Sequence, residues 1–135
     1  YSLNAWCGRD AGNFEAPIQV VSRLAEIVNP GPAKMWILAD THEDSVNIGA
    51  FFVQGWSVLI DGEYIWSPEG LPAARHGGSG VFSFADGHAE LRKWKDPRTL
   101  FDVQEKYRGS IWHPGNQDLY WLADHATQKN PNYRE

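Results

Sequence analysis

The groups that could do chemistry in this 135-residue chain are its five histidines and a few carboxylates close to them in sequence. Residues 40–47, "DTHEDSVN", place Asp40, Glu43, Asp44 and Asn47 within one short stretch. Hard oxygen donors at that density suit Ca²⁺, although the spacing is not that of an EF-hand. The same stretch also reads as a solvated loop, with Asp and Asn present because they favour turns. With His76 or His113 added, His42, Glu43 and Asp44 would instead supply a metal-assisted hydrolase. A second group lies in "RHGGSGVFSFADGH" (75–88), where nine residues separate His76 from Asp86-Gly87.

Geometry separates the two ends of that second group. A strand over 81–85 is roughly 17 Å long at about 3.3 Å per residue. His76 and Asp86 are therefore expected to do different structural jobs, His76 anchoring a loop and Asp86-Gly87 making a turn. His88 falls near Glu90 and suits a hydrogen bond or an exposed pair. No two histidines form an H-E-x-x-H motif, and no nucleophile elbow, phosphate loop or dinucleotide fingerprint occurs in the sequence. The expectation is a protein that is not an enzyme.

The elements that must position these residues are short. "MWILA" (35–39) is a compact apolar run that fits a buried strand, and "NPGP" (29–32) ends whatever precedes it. Residues 18–28 fit a helical period at Ile18, Val21, Leu24, Ala25 and Val28, but Val20-Val21 and the short length argue against a helix. A two-residue turn at Asp61-Gly62 would set Leu59 opposite Tyr64 and Val58 opposite Ile65. A two-residue turn at Asp86-Gly87 would set Phe84 opposite Ala89 and Phe82 opposite Leu91. Those four residues would form one apolar face, leaving Ser83, Ala85, His88, Glu90 and Arg92 to water. Residues 116–127 read as a short helix capped by Asn116, with Asp118 in its first turn and Leu119, Leu122 and Ala123 on one face.

Composition bounds the function classes. A chain of this length is one domain, 1–135, that buries roughly two-thirds of its unfolded surface. With 17 acidic residues against 12 basic ones and no basic cluster, nucleic acid is an unsuitable partner. The single cysteine, Cys7, excludes an intrachain disulfide and reads as a small apolar residue in or near the core. Of the seven tryptophans, Trp36, Trp56 and Trp66 lie in strand patterns, whereas Trp6, Trp94, Trp112 and Trp121 are candidates for a sugar-stacking surface. That keeps an extracellular carbohydrate-binding or adhesion module as an alternative. The opening "YSLNAW" has no initiator Met, so the chain is expected to start inside something longer or after processing.

The segment "RHGGSGVFSFADGHAELRKWKDPRT", together with "VNPGPAKMWILADTHEDSVN" and the ending "NQDLYWLADHAT", closely resembles the prepilin-type H-x9-DG processing-associated domain. The likeness spans nearly the whole chain. It implies an α+β, pilin- or pseudopilin-like head with antiparallel hairpins and a short C-terminal helix. It also implies an N-terminal hydrophobic helix, absent from this chain, that anchors the protein in the inner membrane and packs in a filament. His76, Asp86 and Gly87 would be structural motif residues; some members of the family hold a calcium ion in a loop of the head, which favours calcium at the acidic loop of Asp40, Glu43, Asp44 and Asn47 without assigning its ligands. The implied partners are identical subunits, other pseudopilins and secretion machinery. The implied location is the bacterial cell envelope, with the head in the periplasm, or an extracellular filament of the type II secretion or type IV pilus kind.

Overall fold

The computed structural model describes residues 1–7, 18–46, 49–51, 53–54, 64–104, 109–126 and 128–129. In chain order the elements are β1 (Ser2–Asn4), β2 (Ile18–Gln19), β3 (Trp36–Ala39), β4 (Ala50–Phe51), β5 (Val53–Gln54), β6 (Ile65–Trp66), β7 (Ser79–Phe84), β8 (Ala89–Lys93), α1 (Gln117–Ala126) and β9 (Gln128–Lys129). Five strands form the main sheet in the order β4-β1-β3-β7-β8, and β2 pairs with β9 and β5 with β6 in two small ribbons. One helix and a five-stranded sheet make the fold α+β. The sheet is mixed rather than wholly antiparallel, because β1 and β4 run parallel. Residues 18–28 form no α-helix: β2 leads to a bridge at Val21 and a single 3₁₀ turn at Leu24–Glu26. Among the described residues no helix is long and apolar enough to cross a membrane.

The core lies on the sheet face covered by α1. Trp36, Phe51, Phe82 and Phe84 are fully buried there with Leu119, Leu122 and Ala126 of the helix. Phe82 is the hub, with ring centroids 5.9 Å from Trp36, 5.8 Å from Trp94 and 5.3 Å from Trp121, all edge-to-face. That geometry aims the positive ring edge of one aromatic at the negative face of the next. Trp36 and Ala39 are both buried, and a regular strand would set residues three apart on opposite faces. The register shift between Trp36 and Leu38 supplies the extra residue, so Trp36 meets Phe84 and Ala39 meets Phe82 on the same face. Gly80 has to be glycine, since a Cβ there would lie 2.7 Å from the Trp94 ring and 3.1 Å from the Ala73 carbonyl.

The two hairpin registers differ from those expected. Gly87 N–H donates to Phe84 O (3.0 Å) and Phe84 N–H donates to His88 O (2.9 Å), so the loop is Ala85-Asp86-Gly87. Gly87 alone needs to sit in the left-handed region, at φ 96°. Phe82 is therefore opposite Glu90 and Val81 opposite Leu91. This one-residue slip exchanges the faces of β8, turning Ala89 and Leu91 outward and His88, Glu90 and Arg92 toward the helix side. Arg92 lies 4.2 Å above the Trp121 ring, a contact that makes that side habitable for a cation. In the second hairpin Ile65 pairs with Gln54, not Val58, and Trp66 with Val53. The Asp61-Gly62 turn lies outside the described residues.

The helix is pinned at both ends by buried polar groups. Asn116 Oδ1 accepts from Asp118 N–H (3.0 Å) and Leu119 N–H (3.1 Å), the cap the sequence suggests. Asp118 is itself fully buried, and its carboxylate accepts from Lys95 N–H (2.9 Å), Asp96 N–H (2.8 Å) and the Thr99 hydroxyl (3.0 Å). At the other end Asn4 Nδ2 donates to Ala126 O (2.6 Å) and Trp36 O (2.8 Å). Truncation of Asp118 to alanine would strand two backbone donors and a hydroxyl in the interior. Asp118→Ala should destabilise the fold by on the order of 3 kcal/mol or more in urea unfolding. A loss under about 1 kcal/mol would show that these groups find other partners.

Candidate functional site

The residues singled out from the sequence gather in two places, both defined by β7. At its start, the loop after β3 folds against residues 71–76. Asp40 N–H donates to Val81 O (2.8 Å), Asp40 O accepts from Ala73 N–H (3.0 Å), and His42 N–H donates to Leu71 O (2.9 Å). Ser45 Oγ donates to Pro68 O (2.7 Å) and accepts from Leu71 N–H (3.0 Å). These bonds lock the two loops side by side and leave the Asp40 carboxylate buried at their junction. Arg75 closes it, with Nη1 2.7 Å from Asp40 Oδ1 and Nη2 3.0 Å from Thr41 O. His76 Nε2 stands 3.8 Å from the other carboxylate oxygen. The histidine of the H-x9-DG pattern thus meets the first residue of the acidic loop and not Asp86.

Of the four expected calcium ligands, Asp40 faces Arg75 and His76, Glu43 is exposed, and Asp44 Oδ2 accepts from Gln104 N–H (2.6 Å). Asn47 lies outside the described residues. A cation at Asp40 would compete with the arginine for the same oxygens. Among the described residues no group of three or more His, Cys, Asp and Glu side chains converges so as to hold a metal ion. Of the residues considered for hydrolysis, His42 Nδ1 stands 3.9 Å from Asp44 Oδ2, while the Glu43 side chain is exposed. His42 Nδ1 accepts from Asp44 N–H (3.2 Å), so Nε2 carries the proton and donates to Phe101 O (3.1 Å). His113 stacks on the Phe101 ring at 5.9 Å, and its pKa falls below the ordinary value because of burial and then the Arg98 charge. Both histidines touch Phe101, whereas His76 belongs to the Asp40 cluster.

The far end of β7 carries the second group. His88 lies flat on Phe84, with centroids 4.4 Å apart and planes 6° from parallel. Its Nδ1 is hydrogen-bonded to Asp86 Oδ1 and its Nε2 stands 3.2 Å from Glu90 Oε1. Held between two carboxylates, the imidazole has a raised pKa, mainly through the Asp86 hydrogen bond and then that of Glu90. The His88 bond in turn lowers Asp86. Cys7 is the opposite case: burial pushes its thiol up to about 11, so at neutral pH it is no thiolate nucleophile.

The tryptophans chiefly build the interior. Trp6, Trp36, Trp66 and Trp94 are buried, Trp121 is half-buried under Arg92, and Trp56 lies outside the described residues. Only Trp112, 56% exposed, offers a largely open ring among the described residues. Trp6 and Trp94, considered as surface groups from the sequence, are core. Trp94 Nε1 donates to Ala73 O (2.8 Å), the bond that lets an indole be buried. Neither the Asp40–Arg75 pair nor the segment that receives Asp118 has a signal in the local residue pattern. The only local signal was the Asn116-x-Asp118 pattern of a helix start.

The hairpin tip yields a pH dependence of definite sign. A histidine whose folded pKa exceeds its unfolded 6.5 contributes stability below pH 6.5, lost as pH rises through the folded value. Asp86, lowered from 3.8, contributes above pH 3.8, and that is lost as pH falls through its folded value. The His88 imidazole should titrate above 6.5 by NMR. The gap in melting midpoint between the protein and its His88→Ala variant should be widest between the two folded pKa values and shrink at alkaline pH. Parallel pH profiles for the two proteins would refute the coupling.

Set against models of protein families, curated proteins and solved structures, the chain matches none.

Proposed function

We propose that this chain is the non-catalytic head of a pilin- or pseudopilin-like filament subunit of the bacterial cell envelope. An upstream apolar helix would anchor the subunit in the inner membrane and then pack in the filament axis. Identical subunits, and related pseudopilins of a secretion or pilus assembly, would be its partners. The observation that carries the reading is what the residues of the prepilin-like segment do. His76 and Arg75 meet the buried Asp40 carboxylate, Asp86 holds His88, and Asp96 binds Arg98 through Nε (2.9 Å) and Nη2 (2.6 Å). The first of these fixes one loop to its neighbour, the other two stiffen a hairpin tip and a single turn, and Arg98 Nη1 also reaches across to Pro114 O (3.2 Å). A filament head requires that kind of rigidity, because its contacts with adjacent subunits must keep one geometry along the assembly.

The test is the full gene and its product. Directly before Tyr1 it should encode an apolar helix of about 20 residues, preceded by a short basic leader. The full-length protein should be processed at that leader and recovered in filaments visible by electron microscopy. An ordinary signal peptide ending at Tyr1, or a processed protein that stays monomeric in the envelope fraction, would overturn the proposal.

A further inference from the structure

Strand β8 is the outermost strand of the main sheet, with only β7 beside it among the described residues. Its hydrogen-bonding phase is fixed at both ends, because Phe84 N–H donates to His88 O and Trp94 N–H donates to Gly78 O. Bonded pairs alternate along an antiparallel ladder, so Glu90 and Arg92 turn their backbone groups to β7. Ala89, Leu91 and Lys93 then turn their N–H and C=O groups outward. β8 is five residues long, contains no proline and pairs with β7 without a register shift. Proline and bulges are two of the devices that blunt an edge; without them the outward N–H and C=O groups stay open to another strand, and the charges of Glu90, Arg92 and Lys93 admit only a partner that matches them.

We propose that this edge pairs with the same edge of a second copy of the chain, antiparallel, about a two-fold axis at Leu91. In that register Leu91 faces Leu91 of the second copy and Ala89 faces Lys93, each pair exchanging both backbone hydrogen bonds. Glu90 faces Arg92 in both directions, at the non-bonded positions where opposed side chains come closest. The sequence A-E-L-R-K is therefore complementary in charge to its own reverse. Other registers lose this. Centring on Lys93 opposes two ammonium groups, centring on Ala89 shortens the ladder and leaves Arg92 unmatched, and a parallel arrangement sets Glu90 beside Glu90.

Two further features favour the Leu91 register. Arg92 is held over Trp121, which fixes its guanidinium beside the edge before a second copy arrives. On the opposite face Leu91 is 62% exposed beside Val81, and Leu38 (39%) and Leu3 (46%) continue an apolar surface across β3 and β1. Pairing would join the Val81–Leu91 rows of two copies into one apolar band. The contact is isologous, as a two-fold dimer requires. It is also small, which places its dissociation constant in the micromolar to millimolar range. The inference concerns this chain alone and stands whether or not the filament reading does.

Sedimentation of the 135-residue chain over a concentration series is the test. A reversible monomer–dimer equilibrium is expected, with the amides of Ala89, Leu91 and Lys93 becoming more protected from exchange as concentration rises. Glu90→Arg should weaken the dimer roughly tenfold, since it opposes like charges at two positions. Adding Arg92→Glu should restore most of the affinity by reversing both partners, with thermal melting used to check that each variant is folded. A chain that remains monomeric at about millimolar concentration would overturn the proposal. So would a dimer indifferent to Glu90→Arg, or exchange at those three amides that is independent of concentration.

Discussion

A ten-residue helix has little stability of its own in water, so α1 exists because the sheet holds it. The holding is polar as much as apolar. Asp118 reaches out of the first turn to the backbone that follows β8, and Asn4 of β1 receives the last carbonyl of the helix. Between those pins, Trp36 Nε1 donates to Leu122 O at 3.1 Å, tying the middle of the helix to β3. Leu119, Leu122 and Ala126 can then press on Phe82 and Trp36 in a single orientation. Each of the three ties crosses from one element to another. The aromatic core is thus given its register by hydrogen bonds that would be costly to leave unmade in a dry interior.

The same logic extends to the loops. The Asp40 carboxylate is buried where the segment after β3 meets the one before β7, and Arg75 satisfies it from the solvent side. Trp94 performs a comparable service by donating to Ala73 O from beneath. Residues that look reactive in isolation, a histidine beside a run of carboxylates, turn out to be the fastenings of irregular backbone. A small domain with short strands leaves many peptide groups outside its ladders, and these side chains supply their partners.

Much of this was legible in the residues. The apolar run at 35–39, the cap at Asn116 and the turn around Gly87 follow from local chemistry, and each is found where local chemistry puts it. Register was less legible, because Asp86-Gly87 serves a two-residue loop and a three-residue loop equally well. The deciding interactions, His88 on Phe84 and Arg92 on Trp121, come from residues that look polar in a linear pattern and from a helix thirty residues downstream. The bulge that buries both Trp36 and Ala39 was similarly hidden, since it is imposed by the partner strand. The acidic loop misled in a different way: its carboxylates are read from sequence as free donors, and it takes Arg75 and the Gln104 amide to show where two of them go.

The short ribbon of β2 with β9 and the bond from Asn4 to Ala126 span almost the whole length of the chain. Contacts of such long sequence separation can close only after everything between them has been made, and their loop entropy must be met before they return anything. The helix docks through the bond to Asn4, so during synthesis the aromatic face of the sheet waits uncovered until residues 117–126 have emerged. Folding of this domain is therefore expected to be concerted, with its apolar face open to misassembly until the helix has been made.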